Sequence, residues 1–337
     1  MWAAVRPGRC TVKRWIACVG LLLLITLPLP QLVEAATELK LGHCSGTDDP
    51  YHIGATKFAE LVPLHTGNAV RVLVFPSCQL GGGEREMIEG VKLGTIEMVL
   101  TASAPIAGFE QKFMLFDLPF LFRDNPHAHR VLDGPIGQRV AASLEPHGIK
   151  LLSWMESGFR NMITTKKKIA SPDDMRGMKF RVMENPVYVS MFRNLGSSGV
   201  PIPSPEVYTS LQTGVVDGYE HPVGAYMGIK AYEVAKLVAL TGHAYTPAPI
   251  LMNLKVFTQM PKAQQDGLLK AAQEAAVFER AYVAKTLEEF KAKLSSRDGV
   301  QFYEVDKRPF QQKMAPVYKE FEGKVGKDLI DAILQAK

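Results

Sequence analysis

The fold is decided by ELKLG at residues 38–42 and VRVLVF at residues 70–75, with a helical segment, residues 52–66, between them. The two short runs are rich in the β-branched and aliphatic residues that are typical of strands. The intervening segment carries Phe58, Leu61 and Val62 at helical spacing, on one face. Two strands joined by a crossover helix run parallel, so the sequence predicts an α/β fold.

The same alternation continues with a helical pattern at residues 84–93 and a strand at residues 97–100. Ligands in open α/β sheets bind outside the carboxyl ends of the strands. His43, Cys78 and Ser103 follow three strand ends and are therefore candidate ligand-binding residues. Cys44 and Cys78 follow neighbouring strands, and two interpretations stay open: a disulfide, or two separate buried thiols.

A second α/β alternation begins near residue 148, with strands predicted at residues 150–154, 162–165, 178–182 and 215–218. We interpret it as a second lobe. Residues 245–249 are rich in proline and predict an extended crossover between the lobes. Residues 261–295 keep a helical period without a proline after Pro261, which predicts one long helix that braces both lobes.

The first 35 residues predict a cleaved secretory signal peptide, and therefore a periplasmic protein. Four basic residues precede the apolar run at residues 15–29, and small residues surround the expected cleavage site at Ala35. An uncleaved anchor is the alternative. The formal net charge of +5 loses most of its excess with this segment, and no later segment concentrates Lys and Arg with aromatic residues between them, so nucleic acid is not an expected partner.

Arg181 lies in Lys179-Phe180-Arg181-Val182, where it alternates with apolar neighbours on a short strand. Its side chain is expected to point away from Phe180 and Val182, into a cleft or onto a lobe surface. The planar guanidinium matches a carboxylate through two charge-assisted hydrogen bonds. A ligand carboxylate and an internal Asp or Glu are both possible partners.

Several motifs occur in one order along the chain and together resemble the solute receptors of tripartite ATP-independent periplasmic (TRAP) transporters, the dicarboxylate-binding DctP-type branch. The resemblance covers nearly all of the chain after residue 35. Its motifs are Pro50-Tyr51-His52, Gln79-Leu80-Gly81 with Glu84, Asp117-Leu118-Pro119-Phe120, Gly158-Phe159-Arg160, Lys179-Phe180-Arg181-Val182 and Gln212-Thr213-Gly214-Val215-Val216-Asp217-Gly218.

The resemblance implies a two-lobed periplasmic binding protein of the Venus-flytrap type, with a long helix spanning both lobes. Residues 36–157 and 247–286 are expected to form the first lobe, and residues 158–246 and 287–337 the second. The resemblance further implies that Arg181 pairs with the carboxylate of a small organic acid and that Arg160 is a second basic contact. The membrane subunits of a TRAP transporter are the implied protein partners.

His221 stands where the family often has asparagine, and this departure changes the hydrogen bonds available to a ligand. Tyr219 is predicted to form a wall of the pocket, and Glu84 belongs to the expected ligand-binding set. Neither a metal nor another cofactor is expected, and no catalytic residue is assigned. Two alternatives stay open: the binding protein of an ATP-driven transporter, and a periplasmic metal-dependent enzyme built around His43 and Cys44.

Overall fold

The structure is a computed structural model that describes residues 36–226 and 228–336, so the predicted signal peptide lies outside the described residues. In this described part, nine strands form one mixed sheet in the order β2-β1-β3-β8-β4-β7-β5-β6, with β9 beside β8. The strands are β1 (Thr37–Gly42), β2 (Val70–Phe75), β3 (Met98–Leu100), β4 (Ile149–Thr164), β5 (Lys179–Val182), β6 (Ser198–Pro201), β7 (Gly218–Pro222), β8 (Leu237–Asn253) and β9 (Gln301–Tyr303).

Helices cover the sheet, and short 3-10 turns connect several of them. The α-helices of the described residues are α1 (Pro50–His65), α2 (Glu84–Leu93), α3 (Asn125–Asp133), α4 (Pro135–Ala142), α5 (Pro186–Asn194), α6 (Val207–Gln212), α7 (Leu254–Gln259), α8 (Lys262–Asp298), α9 (Arg308–Gln311), α10 (Ala315–Val325) and α11 (Lys327–Gln335). Among the helices described, none combines the length and apolarity that a membrane crossing requires.

The predicted βαβ unit is confirmed, because β1 runs parallel to β2 and to β3. The predicted strand at residues 215–218 is wrong in its position. Val215 is 56% exposed, and β7 begins only at Gly218, where it pairs with Thr164 of β4 and Phe180 of β5. Ladder pairing with two neighbouring strands, rather than the local apolar pattern, sets the start of β7.

Two long antiparallel strands, β4 and β8, run through the centre of the sheet and connect its two halves. Near its end β8 pairs with β3 of the first lobe, and near its start it pairs with β9. The proline-rich segment predicted to be an extended crossover lies inside β8. Pro247 and Pro249 cannot donate, but their carbonyls accept from the amides of Ser103 and Thr101 at 3.0 and 3.3 Å.

Helix α8 has 37 residues and is about 55 Å long, at 1.5 Å per residue. Near its start, Leu268 packs into the core formed by α1, β1 and β2. Near its end, Leu294 packs into a different core, with Tyr219 of β7. One helix therefore contributes to the cores of both lobes, as the sequence predicted. The exact lobe boundaries stay a prediction.

Candidate functional site

The loops that follow β1 and β2 are joined by a disulfide between Cys44 and Cys78. Ser77 and Cys78 both adopt the left-handed conformation, with φ of 54° and 58°. The Cys78 amide donates to the carbonyl of His43 at 2.9 Å, which adds a second link between the two loops. Of the two interpretations of these cysteines, the structure therefore has the disulfide.

We expect the Cys44→Ala/Cys78→Ala variant to unfold with a free energy about 2–4 kcal/mol below that of the oxidised wild type, since the bond closes a loop of 34 residues. Urea unfolding with and without dithiothreitol measures this difference. The reductant should lower the stability of the wild type and leave the variant unchanged. Equal loss in both proteins would show that the reductant acts elsewhere.

A small polar cavity lies at the strand ends, between the first lobe and the ends of β4, β5 and β7. Its volume is about 30 Å³, which is room for two or three water molecules. Both lobes contribute to its wall, so a ligand there touches both. The wall consists of Cys44, Ser45, Asp49, Tyr51, Glu84, Ala102, Ser157, Arg160, Arg181, Met183, Ser204, His221, Ala225 and Ile229.

Arg181 reaches this cavity from β5 and is only 2% exposed. Its Nε donates to the carbonyl of Ile202 at 2.7 Å, which fixes the plane of the guanidinium. Among the described residues, Arg181 forms no ion pair with a carboxylate. Burial lowers the pKa of Arg181, although the nearby Glu220 opposes this shift. The arrangement is that of a buried cation with room for an anion beside it.

Arg160, by contrast, is already neutralised within the chain. Its Nε forms an ion pair with Glu220, and its second terminal nitrogen donates to the Glu220 carbonyl at 2.7 Å and to Oε1 at 3.0 Å. Burial opposes ionisation of Glu220, yet the Arg160 guanidinium holds the pKa of Glu220 at about 2. His243 lies 3.7 Å from the same carboxylate. The positive charge of Arg160 is thus balanced by the negative charge of Glu220.

Two carboxyl groups of the first lobe face the arginines across the cavity. Glu84 is the first residue of α2, and burial raises its pKa while the positive charge of Arg181 lowers it. Asp49 caps α1 by accepting from the Tyr51 amide at 2.9 Å, and burial raises its pKa to about 7. The first lobe therefore contributes two buried carboxyl groups to the same cavity as the arginines.

His221 lines the cavity close to both arginines. Its Nδ1 lies 3.1 Å from the carbonyl of Pro222. Burial and then the charge of Arg160 lower the pKa of His221 to about 3, so the ring is neutral at physiological pH. The cavity wall thus contains a neutral imidazole close to two guanidinium groups.

The structure brings four of the predicted ligand-binding residues to the cavity wall: Arg181, Arg160, His221 and Glu84. The other four, namely His43, Cys78, Ser103 and Tyr219, lie outside that wall. Cys78 is linked to the cavity wall by its disulfide bond to Cys44, which is one of the wall residues.

Three of those four residues are fully buried, so they lie behind the residues that form the cavity wall. The ring of Tyr219 packs against that of His221, with 5.7 Å between the ring centres, and its hydroxyl has no partner among the described residues. Ser103 likewise has an unpaired buried hydroxyl. His43 contacts His52 at 3.1 Å. Tyr219 therefore packs against His221 without lining the cavity itself.

The sequence reasoning missed several residues of the wall. Ser45, Asp49 and Tyr51 follow β1, so the rule that placed His43 at the sheet edge, extended by a few residues, would have found them. Ser157 and Ser204 carry no comparable signal, because each reaches the cavity through the path of a strand or turn.

A larger groove of about 400 Å³ lies elsewhere, between α3, α4, β4 and α8. Its lining is mostly apolar, and its main cation, Arg280, is paired with Asp133 at 2.7 and 2.9 Å. The larger volume favours this groove as the ligand site. The smaller cavity, however, contains the buried guanidinium of Arg181, which has no ion-pair partner among the described residues. The smaller cavity is therefore the candidate ligand site.

The model of the bacterial extracellular solute-binding protein family 7, DctP, matches residues 41–324. The chain belongs to this family. The expected resemblance to TRAP receptors is confirmed, and the two-lobed fold is that of a solute-binding protein.

Relatives and solved structures agree with this assignment. The 2,3-diketo-L-gulonate-binding periplasmic protein YiaO of Escherichia coli is 37% identical over 251 residues, which cover 74% of this chain and 76% of YiaO. A TRAP periplasmic solute-binding protein from Polaromonas sp. JS666, bound to D-erythronate, is 38% identical with a TM-score of 0.86. One from Bordetella bronchiseptica, with density assigned to pantoate, is 36% identical with a TM-score of 0.86. In both structures the match covers 89% of this chain and 99% of the other chain.

Proposed function

We propose that this solute-binding protein captures a small organic acid anion in the periplasm, holds its carboxylate with Arg181, and delivers it to the membrane subunits of a TRAP transporter. The observation that carries the proposal is the buried Arg181 guanidinium, which faces a polar cavity without an ion-pair partner among the described residues. A buried charge is costly without a counter-charge, and a carboxylate supplies one with matching geometry.

The closing of the two lobes completes the proposed mechanism. Periplasmic binding proteins as a class close around their ligands by a hinge motion, in which a few residues undergo large changes of their backbone angles. Here β4, β8 and α8 connect the lobes, and the cavity wall comes from both. A cavity with room for two or three waters requires the lobes to open before an acid enters, and closure then removes the anion from water.

The ligands of the relatives support the carboxylate as the recognised group. D-erythronate and pantoate, found with the Polaromonas and Bordetella proteins, are both short acids with one carboxylate. The diketo-gulonate in the name of YiaO is another acid with a single carboxylate. We therefore infer a short monocarboxylate as the ligand class. Arg160, whose charge Glu220 balances, is proposed to orient the ligand rather than to neutralise it.

A thermal-shift screen of the purified mature protein against small organic acids tests the proposal. An acid present at about 100 times its dissociation constant stabilises the folded state by about 2.7 kcal/mol, which raises the Tm by several degrees. The uncharged amide of each acid is the matched control and should give no shift. A panel in which no carboxylate raises the Tm, or in which the amides act equally well, would contradict it.

A further inference from the structure

We propose that His221 selects acids that carry a hydroxyl group on the carbon next to the carboxylate, and that this hydroxyl donates a hydrogen bond to Nε2 of His221. The inference rests on the proposed function, because it assumes that Arg181 holds the carboxylate. It narrows the ligand class from short acids in general to 2-hydroxy acids, and it disfavours the corresponding 2-oxo acids and unsubstituted acids.

The position of the proton on the His221 ring follows from its one described hydrogen bond. Nδ1 lies 3.1 Å from the carbonyl oxygen of Pro222. A carbonyl oxygen only accepts, so Nδ1 carries the proton. In a neutral imidazole the other nitrogen, Nε2, then has a lone pair and acts as an acceptor. A second proton at Nε2 would add a positive charge beside Arg160 and Arg181, the two cations that lower the pKa of His221 together with burial.

Nε2 is available for a ligand. It has no hydrogen-bond partner among the described residues, and it is not one of the side-chain atoms sealed from solvent without a partner. His221 also lines the cavity. The lone pair at Nε2 therefore marks a place in the site where a ligand must present a donor.

The sheet register places this acceptor beside the carboxylate position. Arg181 of β5 lies opposite Tyr219 of β7. His221 is two residues further along β7, on the same face as Tyr219, so it is a diagonal neighbour of Arg181. Both side chains line the same small cavity, so they lie close to each other there. A carboxylate bound to Arg181 therefore places the substituent of its neighbouring carbon near His221.

The chemistry of that substituent decides the fit. A hydroxyl group can donate to Nε2, whereas an oxo oxygen presents a lone pair to a lone pair. A hydrogen atom in the same place leaves Nε2 without a partner in a buried site. Among the neutral groups of the wall, the hydroxyls of Ser45, Ser157 and Ser204 are less selective, because each can donate or accept. His221 is therefore the residue that distinguishes a hydroxyl group from an oxo group or a hydrogen atom at this position.

Isothermal titration calorimetry with paired acids tests the inference. The pairs are 2-hydroxybutanoate with 2-oxobutanoate and gluconate with 2-oxogluconate, which differ only at the carbon next to the carboxylate. We expect the wild type to bind the hydroxy acid of at least one pair about 10-fold to 100-fold more tightly than the oxo acid. His221→Asn, whose amide can both donate and accept, should reduce that ratio to a few-fold.

The possible outcomes separate the two proposals. Equal binding of hydroxy and oxo acids by the wild type, or an undiminished ratio in His221→Asn, would overturn the role of His221 and leave the proposed function standing. No binding of any acid would count against the proposed function itself. If the variant fails to fold, ¹⁵N NMR of histidine-labelled wild type still decides. A proton on Nε2 rather than Nδ1 in the unliganded protein would refute the inference.

Discussion

Arg181→Met is expected to weaken acid binding by about two orders of magnitude or more while the protein keeps its fold. Removing one partner of a buried, hydrogen-bonded charge pair costs about 2–5 kcal/mol, and here the lost partner is the cation that holds the ligand. Methionine fills a similar volume without a charge. Calorimetric titration with any acid that stabilises the wild type measures the loss.

Arg176→Met is the matched control, because Arg176 is 74% exposed and pairs with Asp173 at the surface of the same lobe. That variant should bind the acid as the wild type does. In Arg181→Met, the unliganded protein should be at least as stable as the wild type, since the substitution removes a buried cation that has no ion-pair partner among the described residues. Unchanged acid affinity in Arg181→Met would show that the carboxylate binds elsewhere.

The second large effect is expected from Glu220→Gln, which should lower the free energy of unfolding by about 3–5 kcal/mol. Glu220 is fully buried and Arg160 is 2% exposed, so the substitution leaves an uncompensated buried cation. Urea unfolding at neutral pH measures the loss. The double variant Arg160→Met/Glu220→Met should recover most of the stability, because an apolar pair of similar volume carries no buried charge.

Asp328→Asn provides the control for this experiment. Asp328 pairs with Arg139 at 2.7 Å, but both side chains are about 60% exposed, so solvent screens the pair and its loss should cost less than about 1 kcal/mol. A similar cost for Glu220→Gln and Asp328→Asn would mean that burial does not govern the contribution of the Arg160 pair.

The same ion pair predicts a pH dependence of stability. The pKa of Glu220 in the folded state, about 2, lies below the ordinary value of 4.5. A depressed carboxyl pKa stabilises the folded state above the unfolded pKa, and this contribution is lost as pH falls from 4.5 to about 2. The wild type should therefore lose stability over this range more steeply than Glu220→Gln. Parallel curves for the two proteins would contradict the assignment.

Local patterns were sufficient for most of the architecture. The parallel β1 and β2, the long α8 and the extended conformation of residues 245–249 inside β8 each follow from a periodicity or composition confined to one segment. Arg181 was found in the same way, because alternation along β5 placed it on the opposite face from Phe180 and Val182. The start of β7 was misplaced, since its ladder partners are distant in the sequence.

The amino-acid sequence by itself determined the α/β class, the two lobes and the place of Arg181 on a strand, because period and residue type are local properties. The role of Arg181 as carboxylate anchor came from the resemblance to the TRAP receptors and stays a proposal. Only the tertiary structure decided which arginine has no ion-pair partner among the described residues. Arg160 and Glu220 are 60 residues apart and meet through the pairing of β4 with β7. Charge balance depends on neighbours in space, and a sequence pattern does not record those neighbours.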